Sequence, residues 1–206
     1  RIVFASTRQV YGKPQYLPVD EKHPLNPVDI NGVNKITGEQ YHLLYNQVYG
    51  IRSSILRLTN TYGPRMRIKD ARQTFLGVWI RNLIDNKSIQ VFGDGKQRRD
   101  YNYVDDVVDA LIIAATRDES AGQVYNLGAP HPISLQETAR IMCEDLKGAT
   151  YELIPFPEER KAIDVGDFIS DYSTFQSSFG WNPNVSFTEG IKTSFDYFRK
   201  EHQYYT

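Results

Sequence analysis

Apolar and polar positions alternate between two periods along this chain. Ile2 to Phe4 is a short β-branched and aromatic run, the signature of a buried strand. From Gly12 to Ile30 the pattern stops, and Pro14, Pro18, Pro24 and Pro27 predict a long loop. Asn31 to Tyr49 returns to helical spacing, with Val33, Ile36, Leu44 and Val48 on one side. Ile51 to Leu58 reads as a strand ending at the turn Gly63-Pro64. Thr74 to Ile84 reads as a helix, and Ile89 to Phe92 as a short strand before Gly93-Asp94-Gly95. Val104, Val107, Val108, Leu111, Ile112 and Ala115 mark a further amphipathic helix, and Val124 to Leu127 a strand closed by Gly128.

Two capping boxes follow. Ser134 with Glu137 starts a helix reaching Leu146, and Ser186 with Glu189 starts a last one bearing Ile191, Phe195 and Phe198. Between them lie a strand, Tyr151 to Ile154, and a charged loop from Pro155 to Asp167. Strands alternating with helices predict an α/β protein with a largely parallel sheet. In such sheets ligands lie beyond the carboxyl ends of the strands. The loops leaving Ala5 and Thr59 are therefore the places to look.

Composition narrows the classes. With 24 Lys+Arg against 25 Asp+Glu the net charge is −1, which argues against a nucleic-acid binder. The longest apolar stretch, Ala110 to Ala115, is far below the roughly 20 residues of a membrane helix. The lone Cys143 cannot form an internal disulfide, so a cytoplasmic setting is expected. The scattered histidines have no metal-ligand spacing, so no metal is expected. The chain opens on Arg1 and reads as starting inside a strand, so it is expected to lack a preceding part.

Several residues could carry chemistry. Ser6 and Thr7 follow the first strand, where hydroxyls are either ligand donors or turn formers. Lys35 lies one helical turn after Asn31; its plain alternative is a solvated pair with Glu39 at the same spacing. Arg57-x-x-Asn60-x-Tyr62-Gly63-Pro64 comes next, then Gly93-Asp94-Gly95-x-x-x-Arg99-Asp100-Tyr101. An arginine downstream of such glycines suits a phosphate. Glu158-Glu159-Arg160-Lys161 reads as a solvated charge run.

Taken in order, Thr7 with Val10-Tyr11-Gly12, Lys35, the Asn60 segment and the Arg99 segment resemble the extended short-chain dehydrogenases. The likeness is to their NAD-dependent nucleotide-sugar epimerases and dehydratases, of UDP-glucose 4-epimerase type. It continues through Val124–Gly128, Asp171, Phe179-Gly180-Trp181-Asn182-Pro183 and Glu189-Gly190.

The resemblance implies a partial Rossmann-type, doubly wound parallel sheet plus a smaller α/β substrate-binding domain. Residues 1–62, with 97–128 returning to them, would be the C-terminal part of the NAD-binding domain. Residues 63–206 would mainly bind the nucleotide sugar. The glycine-rich turn that seats a dinucleotide does not occur in the chain. The cofactor implied is NAD, or NADP, for a longer parent, with binding and activity of this chain alone not expected. The partner implied is a nucleotide-diphosphate sugar, and the assembly a homodimer through the Asn31–Tyr49 helix and the one after Thr74. By likeness Thr7 and Lys35 are catalytic, Lys35 and Ser6 touch the cofactor, and Asn60, Arg99, Arg160 and Tyr11 face the substrate.

The chain departs from the family at its general base. The family's tyrosine position holds Asn31, and an amide has no proton equilibrium near neutral pH. The family's dehydratases carry Asp-Glu after the loop hydroxyl, where this chain has Arg8 and Gln9, so dehydration is not expected. Two functions remain open: a nucleotide-sugar epimerase with an altered base, or a catalytically inactive sugar-nucleotide-binding or regulatory protein on the same scaffold.

Overall fold

The computed structural model describes residues 1–69, 74–144, 146, 148–161 and 163–205. Along the chain run β1 (Ile2–Thr7), α1 (Ile30–Tyr49), β2 (Ser53–Leu58), β3 (Asn60–Tyr62), α2 (Phe75–Ile84), β4 (Ile89–Phe92), β5 (Arg98–Arg99), β6 (Tyr101–Tyr103), α3 (Val104–Thr116), β7 (Val124–Asn126), β8 (Ile133–Ser134), α4 (Leu135–Glu144), β9 (Tyr151–Ile154), α5 (Glu158–Lys161), α6 (Ser173–Phe179) and α7 (Phe187–Lys200). The α/β alternation read from the pattern is present.

Strands β1, β2 and β7 form a parallel sheet in that order, with Ile2 beside Ser53, Thr7 beside Leu58 and Ile55 beside Val124. Side chains alternate across β2. Leu56 packs with Val107, Ala110 and Ala114 of α3, whereas Arg57 reaches Glu39 of α1. The two helices therefore cover opposite faces, the arrangement of a Rossmann-type sheet. Phe175 of α6 and Trp181 join the α3 side of this core. The segment after Tyr172 thus folds back onto the first sheet.

A second core gathers α2, α4 and α7 around the parallel pair β4–β9 and β6, with Leu76, Trp79, Ile80, Val91, Met142, Phe195 and Phe198 enclosed. Ser134 and Ser186 accept from the N–H groups of Glu137 and Glu189, as the capping boxes predict. The helix after Thr74 turns Leu76, Trp79, Ile80 and Leu83 into this core.

Helix α1 is inverted relative to a simple reading of its apolar side. Ile36 packs inward, but Val33, Leu44 and Val48 are 51%, 50% and 57% exposed, and the enclosed positions are Gly32 and Glu39. No helix among the described residues is long and apolar enough to cross a membrane.

Candidate active site

The carboxyl end of β1 and the start of α1 meet at one point. Thr7 ends β1 and caps the 3-10 turn Arg8–Tyr11, which closes on Gly12 at φ +65°. A Cβ at Gly12 would stand 1.9 Å from the Asn26 carbonyl oxygen, so only glycine lets the loop pass there. Asp29 caps α1, its Oδ1 accepting from the Gly32 N–H at 2.7 Å. A Cβ at Gly32 would lie 2.5 Å from the Gln9 carbonyl oxygen, so this glycine lets the helix approach the turn.

That approach joins residues far apart in sequence. Asn31 Nδ2 donates to Gln9 Oε1 at 2.5 Å, and the Thr7 hydroxyl donates to the same oxygen at 3.3 Å. Gln9 Nε2 donates to Asp29 Oδ2 at 2.6 Å. One turn along α1, Lys35 Nζ donates to the Ala5 carbonyl at 2.6 Å and lies 4.9 Å from the Phe4 ring centroid. The structure therefore brings Thr7, Asn31 and Lys35 to one strand end, with Gln9 and Asp29 as members that the sequence did not single out. The signal for Asp29 was its place as a helix cap; none marked its bond to Gln9.

Lys35 does not form the solvated pair with Glu39. Glu39 is fully enclosed and binds Arg57 through two bonds, 3.0 Å from Nε and 2.6 Å from Nη2. Two further expectations meet the same buried network. Ser6 is 3% exposed and donates to Glu39. Tyr11 is fully enclosed; its hydroxyl accepts from Arg57 at 2.8 Å and donates to Asn126 Oδ1 at 2.6 Å. Burial pushes the Tyr11 phenol up to about 12, opposed by Arg57 and Asn126. Both hydrogen-bonding sides of its hydroxyl are thereby committed to Arg57 and Asn126.

The remaining candidates lie on the Asn60 and Arg99 segments. Asn60 opens β3, and its Nδ2 donates to the Asp100 carbonyl at 2.9 Å. Arg99 is enclosed, donating to the carbonyls of Arg98 and Gly166, with Asp164 at 3.9 Å. Asp164 also accepts from Gln97 at 2.9 Å, tying the 155–167 loop to the arginine strand. Arg160 sits exposed on α5. Arg8 had no assigned role, yet its guanidinium lies 5.0 Å from the Phe168 ring centroid. Burial, then the charge of Arg99, lower its pKa to about 10. Arg8 and Arg99 thus both meet Phe168, the first over its ring and the second through a backbone bridge, with the Asp100 carboxyl acting on both. Two hollows of about 370 and 400 Å³ lie instead around Thr150 and contain none of these residues.

Residues 1–128 match the NAD dependent epimerase/dehydratase family. The chain belongs to that family. Among its relatives is the "Putative UDP-glucose 4-epimerase" of Methanocaldococcus jannaschii, 36% identical over 195 residues, covering 93% of this chain and 61% of that protein. The UDP-glucose 4-epimerase of Thermotoga maritima, solved with UDP-glucose, superposes with a TM-score of 0.85 at 29% identity, over 97% of this chain and 63% of that one. The UDP-glucuronic acid 4-epimerase of Bacillus cereus, solved with UDP-glucuronic acid and NAD, has a TM-score of 0.82 at 26% identity, over 97% and 61%. The chain thus spans about three-fifths of the length of these epimerases. NAD is the cofactor of this family. No glycine-rich turn of the dinucleotide-binding kind occurs in the 206 residues.

Proposed function

We propose that this chain forms the sugar-facing part of an NAD-dependent nucleotide-sugar 4-epimerase-type protein. The observation that carries the reading is the meeting of Thr7, Asn31 and Lys35 at the carboxyl end of β1. Residues 1–62 with 97–128 contribute to the cofactor half, and 63–206 mainly to the substrate half. Asn60, Arg99 and Arg160 serve the diphosphate, with Lys35 toward the cofactor. NAD supplies hydride exchange at the sugar carbon; the residues of this chain bind and orient the sugar hydroxyl. A second copy packs on the exposed side of α1, making a homodimer, and the setting is cytoplasmic.

A second reading has a specific observation behind it. The Asn31 amide is tied to Gln9, and Tyr11 is enclosed. With no phenol at the sugar hydroxyl, the site would hold its ligand without turning it over. Loss of a general base costs about 10² to 10⁴ in rate. The two readings separate on turnover of UDP- and GDP-hexoses by the whole protein that carries this chain, supplied with NAD. Asn31→Tyr should raise epimerisation by about 10² or more if only the base is altered. Binding without turnover in both proteins would favour the binding reading.

A further inference from the structure

The hydrogen bonds around Gln9 have a fixed polarity. Asp29 Oδ1 is held by the Gly32 N–H of the helix cap, and its Oδ2 accepts from Gln9. A carboxylate only accepts, so the Gln9 end facing it must be the amide nitrogen. Gln9 Oε1 then faces Asn31, and the Asn31 end facing Gln9 must in turn be its nitrogen. The Thr7 proton is directed to the same Gln9 oxygen. Side-chain amides can be built either way round, but here one carboxylate orders the series.

We infer that Asp29, acting through Gln9, orients the Asn31 amide so that its carbonyl oxygen is the group presented to the ligand. Gln9 and Asp29 are positioning residues, and the site selects a sugar hydroxyl, which donates, over a keto oxygen, which only accepts. The inference rests on the nucleotide-sugar reading for its ligand but not for its geometry. It also explains Gln9: an acidic residue there would face Asp29 carboxylate to carboxylate, whereas an amide relays its polarity.

Asp29→Asn tests this with the helix cap kept, because asparagine caps as well as aspartate. The cap requires the oxygen of the substituted side chain to face Gly32, so its nitrogen faces Gln9. Gln9 then reverses, and Asn31 reverses after it, presenting its nitrogen. Titration of the whole protein would compare UDP-6-deoxyglucose with UDP-4-keto-6-deoxyglucose. The wild type should prefer the hydroxyl form by about tenfold, the factor one ordinary hydrogen bond supports. Asp29→Asn should bring the ratio near one, with affinity for UDP unchanged. Equal wild-type affinities, or a ratio unchanged by the substitution, would overturn the inference. A ligand-free readout stands beside it. The side-chain amide resonances of Gln9 and Asn31, assigned by their loss in alanine variants, should both move in Asp29→Asn. If they stay in place the relay is absent. If they move while no sugar nucleotide binds the wild type, the polarity stands and the nucleotide-sugar reading fails.

Discussion

At Asp100 a single carboxyl is fully enclosed between two arginine-bearing segments. Its Oδ2 accepts from the Ser170 N–H at 3.1 Å, while Oδ1 has no hydrogen-bonding partner among the described residues. Burial raises its pKa from 3.8 to about 6, against the pull of Ser170, Arg8 and Arg99. An acid whose folded pKa is raised binds its proton more tightly folded than unfolded. Its contribution is therefore greatest below pH 3.8 and is lost as pH rises toward about 6. Asp100→Asn keeps an acceptor for Ser170 and removes the titration. Over that interval the wild type should lose up to about 3 kcal/mol relative to the variant, read from urea midpoints. Parallel curves would contradict the assignment. The sequence marked Arg99 and Asp100 as a motif, but the partner that holds the enclosed carboxylate is Ser170, seventy positions away.

Among elements, the link between α1 and β2 decides how the site is held. The Arg57–Glu39 pair sits where a helix of ordinary amphipathicity would carry apolar side chains. Ser6 and Tyr11 complete it, so β1, the 3-10 turn, α1 and β2 share one polar network. Such a pair is costly to break because the survivor is left charged and buried. Glu39→Ala should cost about 3–5 kcal/mol of unfolding free energy by urea denaturation. Replacing Glu39 and Arg57 together by methionine should recover most of it. A double variant as unstable as the single one would show that packing, not the stranded arginine, carries the loss. The longer helices and strands were legible, since period and caps are local. The Glu39 partner was not, because i,i+4 spacing offers Lys35 equally well, and Lys35 is drawn instead to the Ala5 carbonyl.

On the scale of the molecule, the outward side of α1 stands apart. Ile30, Val33, Tyr41, Leu44 and Val48 recur at helical spacing and are all half or more exposed. That is the spacing of a helix that packs against another helix. Under the homodimer proposed above, Leu44→Glu with Val48→Glu should yield monomers in sedimentation at concentrations where the wild type associates. Stability should not fall, because both side chains already face outward. Association unaffected by the two charges would rule this face out as the contact.

The sequence alone determined the longer helices and strands and their order, and its likeness to the family marked Thr7, Lys35, Asn60 and Arg99. The short β3, β5, β6, β8 and α6 were not legible in it, nor was α5, which lies in the segment 155–167 read as a loop. The longer elements follow from local properties: a period of two or 3.6, a serine three before a glutamate. Tertiary structure decided which side of α1 turns inward, that Ser6 and Tyr11 are enclosed, and that Arg8 neighbours Arg99. It also decided that Gln9 stands between Asp29 and Asn31. Each of these depends on which surfaces meet when α1 folds back along β1 across a proline-rich loop. The close approach that Gly32 permits is a contact between segments more than twenty positions apart, so it leaves no periodic trace in the chain.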